Sequence, residues 1–363
     1  MTEVSSVTAL PVVNLRAGPD RLREGLRRAA HEVGFCYLTG HGVPDGLCGG
    51  ILEAARRLFA LPQADKDAVA MVRSPHFRGY TRLGGELTRG EVDWREQIDI
   101  GPERPPIGGP GKPPYLWLQG PNQWPAALPE LPGIVAEWDA ALSSLARGLL
   151  RHWAASLGSP ADVFDQAFAE TPATLMKIIR YPARAASSQG VGAHRDAGVL
   201  TLLLAEPGSR GLQVRRARGS HRDDGWIDVP PRKGAFIVNI GELLEVASGG
   251  YLRATDHRVK LEEGAAERIS MAYFFNPRLD ARIPVLSLPA ELAARAGRAN
   301  DPSDPIFSVY GRNAWKSRLR AHPDVASAHG YSPGRVGDEN SVLGSRGDYS
   351  GELEQEPDTV HTP

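Results

Sequence analysis

Two His-Arg-Asp triplets stand among the ten histidines of the chain, His194-Arg195-Asp196 and His221-Arg222-Asp223. In extended backbone, side chains two apart share a face, so the imidazole and carboxylate of such a triplet can grip one ion. Their surroundings differ. His221 lies in RRARGSHRDDGW, polar on both sides, which reads as a solvated hairpin tip with no metal role. His194 lies in GAHRDAGVL, which runs straight on into Thr-Leu-Leu-Leu, an apolar run that reads as a core strand. Ionisable groups at such an edge are costly to bury unless a partner takes up their charge. Two ligands do not make a secure site. The third candidate is His257 in YLRATDHRVKL, 61 residues after Asp196, on another predicted strand. That separation spans enough strands to wrap a sheet back on itself. Two His and one carboxylate on one side of an ion leave the other side open, which suits non-haem Fe(II) with positions for a cosubstrate and oxygen. Taken alone, His257 reads as an ordinary strand-end histidine.

The next segment changes that reading. Eleven residues after His257 comes ERISMAYFFNP, with Arg268 and Ser270 two apart on an apolar strand. Arginine is rarely buried unpaired, and its planar fork matches a carboxylate bidentately. Ser270 projects to the same face and can donate another hydrogen bond. An internal Glu is the competing partner for Arg268. Beside a three-ligand metal site, a small diacid is the stronger one.

The elements that must position these residues fall into two groups. Asp20 is placed to cap a helix through about Val33, with Leu22, Leu26, Ala29, Ala30 and Val33 on one face and Gly34 as its stop. A short strand follows at Phe35–Thr39 and a second helix near 45–60. Residues 72–128 are rich in Gly and Pro, and GPERPPIGGPGKPP (101–114) reads as a loop. Pro132 suits the first turn of a long helix whose core stripe is Ile134, Val135, Trp138, Ala141, Leu142, Leu145, Leu149 and Trp153. From 175 the pattern changes to short strands: Leu175–Tyr181, Val199–Ala205, Leu212–Arg215, Trp226–Val229, Ala235–Ile240, Ala254–Val259 and Arg268–Phe275. Helices first and strands later argue against alternating βαβ units and for a sandwich or barrel. No internal repeat is evident.

Whole-chain properties set limits. At 363 residues the chain can bury a large core, and 41% hydrophobic with 23% charged residues is an ordinary globular composition. A net charge of −1 gives no global attraction to nucleic acid or an anionic membrane surface. No apolar run approaches the ~18 residues of a membrane span. The start, MTEVSSVTALPVVNL, carries no basic region ahead of an apolar run, so no secretory leader is expected. Cys36 and Cys48 are too few for a disulfide framework and fit packing in a reducing cytoplasm. A cytoplasmic protein with a small-molecule partner, and with neither nucleic acid nor membrane, is the expectation. Nothing in the sequence addresses oligomeric state.

At these residues the chain resembles the isopenicillin N synthase-like branch of the Fe(II)/2-oxoglutarate-dependent oxygenases. LPVVNL (10–15), EVGFCYLTGHGVP (32–44), RLFALPQADK (57–66), FRGYTRLGGE (77–86), GPNQWP (120–125) and MKIIRYP (176–182) are similar to segments of that family. His194-x-Asp196, His257 and Arg268-x-Ser270 follow in the family's order. The resemblance covers roughly 8–325. It implies a mixed α/β fold with a mainly β core, a double-stranded β-helix or jelly roll with an N-terminal helical region packed outside it. The implied layout is one oxygenase domain over 1–321, its helical region at 8–160 and its jelly-roll core at 175–280; residues 322–363, poor in apolar residues, read as a flexible tail or lid. It further implies Fe(II) held by His194, Asp196 and His257. Arg268 and Ser270, with Tyr181, are implied to bind 2-oxoglutarate, and O2 is the second cosubstrate.

The implied reaction is oxidation of a small-molecule metabolite by hydroxylation, desaturation or ring closure, with natural-product and antibiotic-type substrates among those the family takes. Within the same resemblance stands an oxidase like isopenicillin N synthase or an ethylene-forming enzyme, where the Arg-x-Ser pair of the former holds a substrate carboxylate. A non-catalytic jelly roll that binds a ligand is the reading from another class. Candidate substrate-pocket residues are Phe77, Arg78, Tyr80, Glu96, Phe275 and Tyr310.

Overall fold

A computed structural model of the chain describes residues 9–183, 188–216, 225–297 and 304–331. The first helix, α1 (Pro19–Glu32), is capped by Gly18 rather than by Asp20. Pro19 occupies its first turn, where the missing N–H has no intrahelical partner to lose. Asp20 lies one residue inside and makes no cap hydrogen bond. Gly34 ends the helix at φ +76°, and a Cβ there would lie 2.3 Å from the Arg253 carbonyl oxygen. Only glycine fits that left-handed, crowded turn.

In chain order the strands are β1 (Val12–Asn14), β2 (Phe35–Thr39), β3 (Gly79–Thr81), β4 (Leu87–Thr88), β5 (Glu91–Val92), β6 (Glu96–Ile100) and β7 (Leu175–Tyr181). They continue with β8 (Ser188–His194), β9 (Leu200–Ala205), β10 (Leu212–Arg215), β11 (Trp226–Asp228), β12 (Ala235–Ile240), β13 (His257–Leu261) and β14 (Arg268–Phe275). Eight strands form a major sheet in the order β1-β2-β12-β9-β14-β7-β6-β3, and four form a minor sheet, β11-β10-β13-β8. From β7 to β14 the chain crosses repeatedly between the two sheets, which is the jelly-roll winding. The inter-sheet core is apolar, with Phe35, Ile179, Val191, Val214, Ile237 and Val259 buried against one another.

Helices cover the outer face of the major sheet. α2 (Asp45–Ala60), followed by the short α3 (Gln63–Ala68), packs with α4 (Leu131–Ser156), both α2 and α4 pack on β14, and α1 packs on α4. Trp138, Leu142, Leu149 and Trp153 of α4 are buried at the spacing the sequence shows. Removing a fully buried leucine such as Leu142 to alanine costs about 2–5 kcal/mol. The arrangement leaves the inter-sheet space open at one end, where β8, β13 and β14 carry the candidate ligands.

Within 72–128, β3 and β6 extend the major sheet beyond β7. Two expectations are corrected. Strand β13 begins at His257 rather than Ala254. The chain does not leave the domain at 322: beyond the short α5 (Glu242–Ala247) and α6 (Ala290–Ala293), α7 (Tyr310–Ala321) runs into α8 (Pro323–Ala328), His322 is buried, and Tyr331 packs on Trp315 with ring centroids 4.9 Å apart. Residues 332–363 lie outside the described part. No helix among the described residues is long and apolar enough to cross a membrane.

Candidate metal and cosubstrate site

His194 is the last residue of β8, and Asp196 follows on the turn into β9. His257 opens β13, which pairs antiparallel with β8 so that His257 and His194 are direct register partners. The two rings lie 4.3 Å apart between centroids. Asp196 Oδ1 is 3.6 Å from His194 Nε2 and 3.7 Å from His257 Nε2. Three donor atoms thus converge on one point, all within 4.8 Å of one another.

The far side of each ligand is tied down. His194 Nδ1 donates to the Gly192 carbonyl at 2.8 Å, and His257 Nδ1 to the Thr255 carbonyl at 3.2 Å. Those bonds place the proton on Nδ1 and leave each Nε2 lone pair facing the common point. Asp196 Oδ2 accepts from Thr201 Oγ1 at 2.5 Å and from Asn239 Nδ2 at 2.8 Å. Burial pulls His194 down to about 4, and the neighbouring His257 adds to this, so the ring stays neutral. Burial pushes the Asp196 carboxyl upward, but His257, His194 and its two hydrogen-bond donors outweigh that and hold it low. Two imidazoles and one carboxylate, with one side of the point open to a cavity, fit a divalent iron ion. Arg195, between the ligands, pairs instead with Asp256 at 3.4 Å and Glu245 at 3.8 Å.

Arg268 is directly opposite Tyr181 where β14 pairs with β7. Its Nη1 donates to Ser270 Oγ at 2.8 Å, and its guanidinium sits 4.8 Å from the Tyr181 ring centroid. The residue is only 3% exposed. No carboxylate pairs with it among the described residues, so the internal Glu considered from sequence does not claim it. Burial accordingly lowers its pKa. Arg268, Ser270, Tyr181 and the three metal-site residues line one cavity of about 700 Å³.

Residues 10–127 match the family described as the non-haem dioxygenase in morphine synthesis N-terminal region, and residues 173–277 match the 2OG-Fe(II) oxygenase superfamily. The 2-oxoglutarate-dependent dioxygenase frbJ of Dothideomycetidae sp. is 32% identical over 344 residues, covering 88% of this chain and 91% of that protein. The chain belongs to the Fe(II)/2-oxoglutarate-dependent oxygenases. The homoarginine-6-hydroxylase 2-ODD-C23 of Glycine max is 33% identical, covering 79% of this oxygenase and 85% of the relative. The fold is shared with a full-length Neurospora crassa protein crystallised with alpha-KG and thymine, at a TM-score of 0.66 and 24% identity, over 86% of this chain and 99% of that one. The protein is therefore a dioxygenase that uses Fe(II), 2-oxoglutarate and O2.

Of the candidate pocket residues, the oxygenase places Tyr310 on the cavity and the other five away from it. Phe77 is buried in the core, its ring 5.8 Å from Trp315 and 5.9 Å from Tyr331. Arg78 is buried behind the wall and donates to the Leu118 carbonyl at 3.0 Å. Glu96 points to the opposite face of the sheet, where it pairs with Lys66 at 2.9 Å and Arg180 at 2.7 Å and accepts from the Tyr80 hydroxyl. Phe275 stacks on Phe168 at 4.6 Å, since β14 alternates and its cavity face carries Arg268, Ser270 and Ala272. Sequence reasoning missed Thr201 and Asn239, which support Asp196. A polar residue inside the apolar run AFIVNI is the signal that Asn239 offers. His221 and Asp223 lie outside the described residues.

Proposed function

We propose that His194, Asp196 and His257 hold the iron through Nε2, Oδ1 and Nε2, and that Arg268, Ser270 and Tyr181 receive the distal carboxylate of 2-oxoglutarate. The substrate is a polar small molecule in the rest of the cavity, and the reaction is hydroxylation of one of its C–H groups. The iron and its two cosubstrates supply the oxidising chemistry. The protein's part is placement. Gly192 and Thr255 carbonyls set the imidazole tautomers, and Thr201 with Asn239 keeps one Asp196 oxygen turned inward. Arg268 fixes the diacid by a charge-assisted fork, with Ser270 holding the guanidinium orientation. Hydroxylation is supported by the homoarginine-6-hydroxylases among the relatives.

One observation carries this reading: three metal-donor atoms and a buried arginine without a carboxylate partner share one cavity. Anaerobic protein is loaded with Fe(II) and 2-oxoglutarate and its weak visible charge-transfer band is followed. His257→Ala should abolish the band and His221→Ala should leave it. Arg268→Met should require on the order of 100-fold more 2-oxoglutarate to develop it, the loss of one buried charge-assisted pair. An intact band in His257→Ala, or unchanged 2-oxoglutarate affinity in Arg268→Met, overturns the assignment; the latter result favours an Arg268 that holds the substrate instead.

A further inference from the structure

The cavity wall holds more charge than iron and cosubstrate binding use. Glu86, Arg95, Lys177 and Arg318 line the cavity, and Asp93, Asp99 and Arg78 are buried in the same cluster. Arg95 Nη2 lies 3.0 Å from Glu86 Oε2 and 3.1 Å from Asp93 Oδ2. Lys177 Nζ is 2.7 Å from Glu86 Oε1 and 3.6 Å from Asp99 Oδ2. Arg318 Nη1 donates to the same Asp99 oxygen at 2.5 Å. Arg78 adds its charge near Asp99 and Arg318. His322, beside Glu86, is kept neutral by burial. Four cations thus face Glu86, Asp93 and Asp99, with Glu103 also acting on Arg78, and Arg268 is a further cation committed elsewhere.

Arg318 is where an anion can enter. It is 8% exposed, Asp99 is its hydrogen-bond partner, and its remaining donors have none among the described residues. Ala314, Ser317 and Ala321 line the cavity on the same face of α7, spaced so that short side chains flank the guanidinium. They leave room for a ligand against it. The Nε of Arg95, across the wall, is also buried without a partner.

We propose that this wall is the substrate's anion site: the substrate is a small carboxylic acid whose carboxylate docks on Arg318 beside Lys177. This rests on the proposed function for the iron side of the cavity and adds the substrate class. Arg318 bonds Asp99 through Nη1 alone, so its other donors are left for a ligand in the cavity. A planar carboxylate also suits the arginine fork.

The test is succinate release by the Fe(II)-loaded enzyme with 2-oxoglutarate and O2. The probes are the twenty proteinogenic amino acids and L-homoarginine, each paired with its carboxamide and its decarboxylated amine. At least one free acid should accelerate release, with its two partners at least about 30-fold weaker. For that acid Arg318→Met should raise KM on the order of 100-fold, mainly in KM rather than kcat, and Arg318→Lys should recover part of it. The KM for 2-oxoglutarate should rise in Arg268→Met and not in the Arg318 variants. Should Arg318→Met not fold, Arg318→Lys and the thermal stabilisation of wild-type enzyme by acid against carboxamide give the same comparison. Acceleration by an amine or amide as strong as by its acid, or by no acid of the panel, overturns the proposal. So does an Arg318 variant that weakens 2-oxoglutarate instead. With the charge-transfer band present, such a failure is of the anion site alone; without the band, the iron-site reading fails as well.

Discussion

Asn239→Ala isolates the support beneath Asp196, the carboxylate of the proposed metal site. In the wild type Asp196 Oδ2 accepts two hydrogen bonds, from Thr201 at 2.5 Å and Asn239 at 2.8 Å, while Oδ1 faces His194 and His257. The substitution removes one donor and leaves the backbone in place, since Asn239 pairs with Phe35 on β2 and Thr201 on β9 through main-chain bonds. A hydrogen bond to a charged acceptor contributes roughly 1.5–3 kcal/mol. If that whole term serves to orient the carboxylate, Fe(II) affinity falls about 10- to 100-fold, the range typical of outer-shell losses at metal sites. Thr201→Val, isosteric and without the hydroxyl, should cost a similar amount. The double variant should lose more than the sum, because the first deletion leaves Oδ2 one anchor and the second leaves none. Anaerobic calorimetric titration with Fe(II) measures all four proteins. Wild-type affinity in both single variants refutes the reasoning, because the carboxylate then needs no outer support.

Three further outcomes follow from the fold. Burial holds His322 down to about 4, against an ordinary value near 6.5 in the unfolded chain. Between those values the unfolded state binds the extra proton, so this contribution is intact above about pH 6.5 and is lost as pH falls toward 4. His322→Gln should therefore flatten the acid side of the denaturation-midpoint profile relative to wild type, by about 3 kcal/mol over that window; an unchanged difference between pH 7 and 4.5 contradicts it. Phe77→Ala empties a fully buried ring site and should cost about 3–5 kcal/mol in urea unfolding while leaving the KM for 2-oxoglutarate alone. Gly34→Ala places a Cβ 2.3 Å from the Arg253 carbonyl at a φ of +76° and should lower thermal stability clearly, which a neutral melting curve disproves.

What could be read from sequence follows a physical division. α4 was legible because its stripe from Val135 to Trp153 is local and apolar. The candidate triad was legible because His194 and Asp196 stand just ahead of the apolar run of β9 and His257 opens β13. Strand β8 was not, because Ser-Gln-Gly-Val-Gly-Ala-His has no hydrophobic alternation. Its Gly190 is needed where a Cβ would lie 2.9 Å from the Val259 side chain and 3.1 Å from Tyr181. Strand β6 was missed for a related reason. Gln97 and Asp99 point inward and are fully buried, and the partners that make Asp99 tolerable, Lys177 and Arg318, come from β7 and α7 far along the chain. The pocket residues failed on facing: Phe275 belongs to the right strand and the wrong face, whereas Lys177, a charge inside the apolar run LMKIIRY, was passed over and Arg318 carries no local mark.

The register that brings His194 opposite His257 lies wholly in the minor sheet, while Thr201 and Asn239, which hold Asp196, lie in the major sheet. A bound metal therefore ties the two sheets together at the open end of the jelly roll, where apolar packing is thinnest because the cavity lies there. Binding that is selective for the folded state adds about 2.7 kcal/mol at a hundredfold excess over Kd. For a domain of this size that raises Tm by roughly 4 °C. Fe(II) added anaerobically, or a redox-inert divalent substitute, should produce this rise and a chelator should reverse it. His257→Ala should melt at one temperature with or without metal, and Asn239→Ala should need a higher metal concentration to reach the full shift. A rise of equal size in His257→Ala would place the stabilising ion somewhere other than the point where the three donor atoms meet.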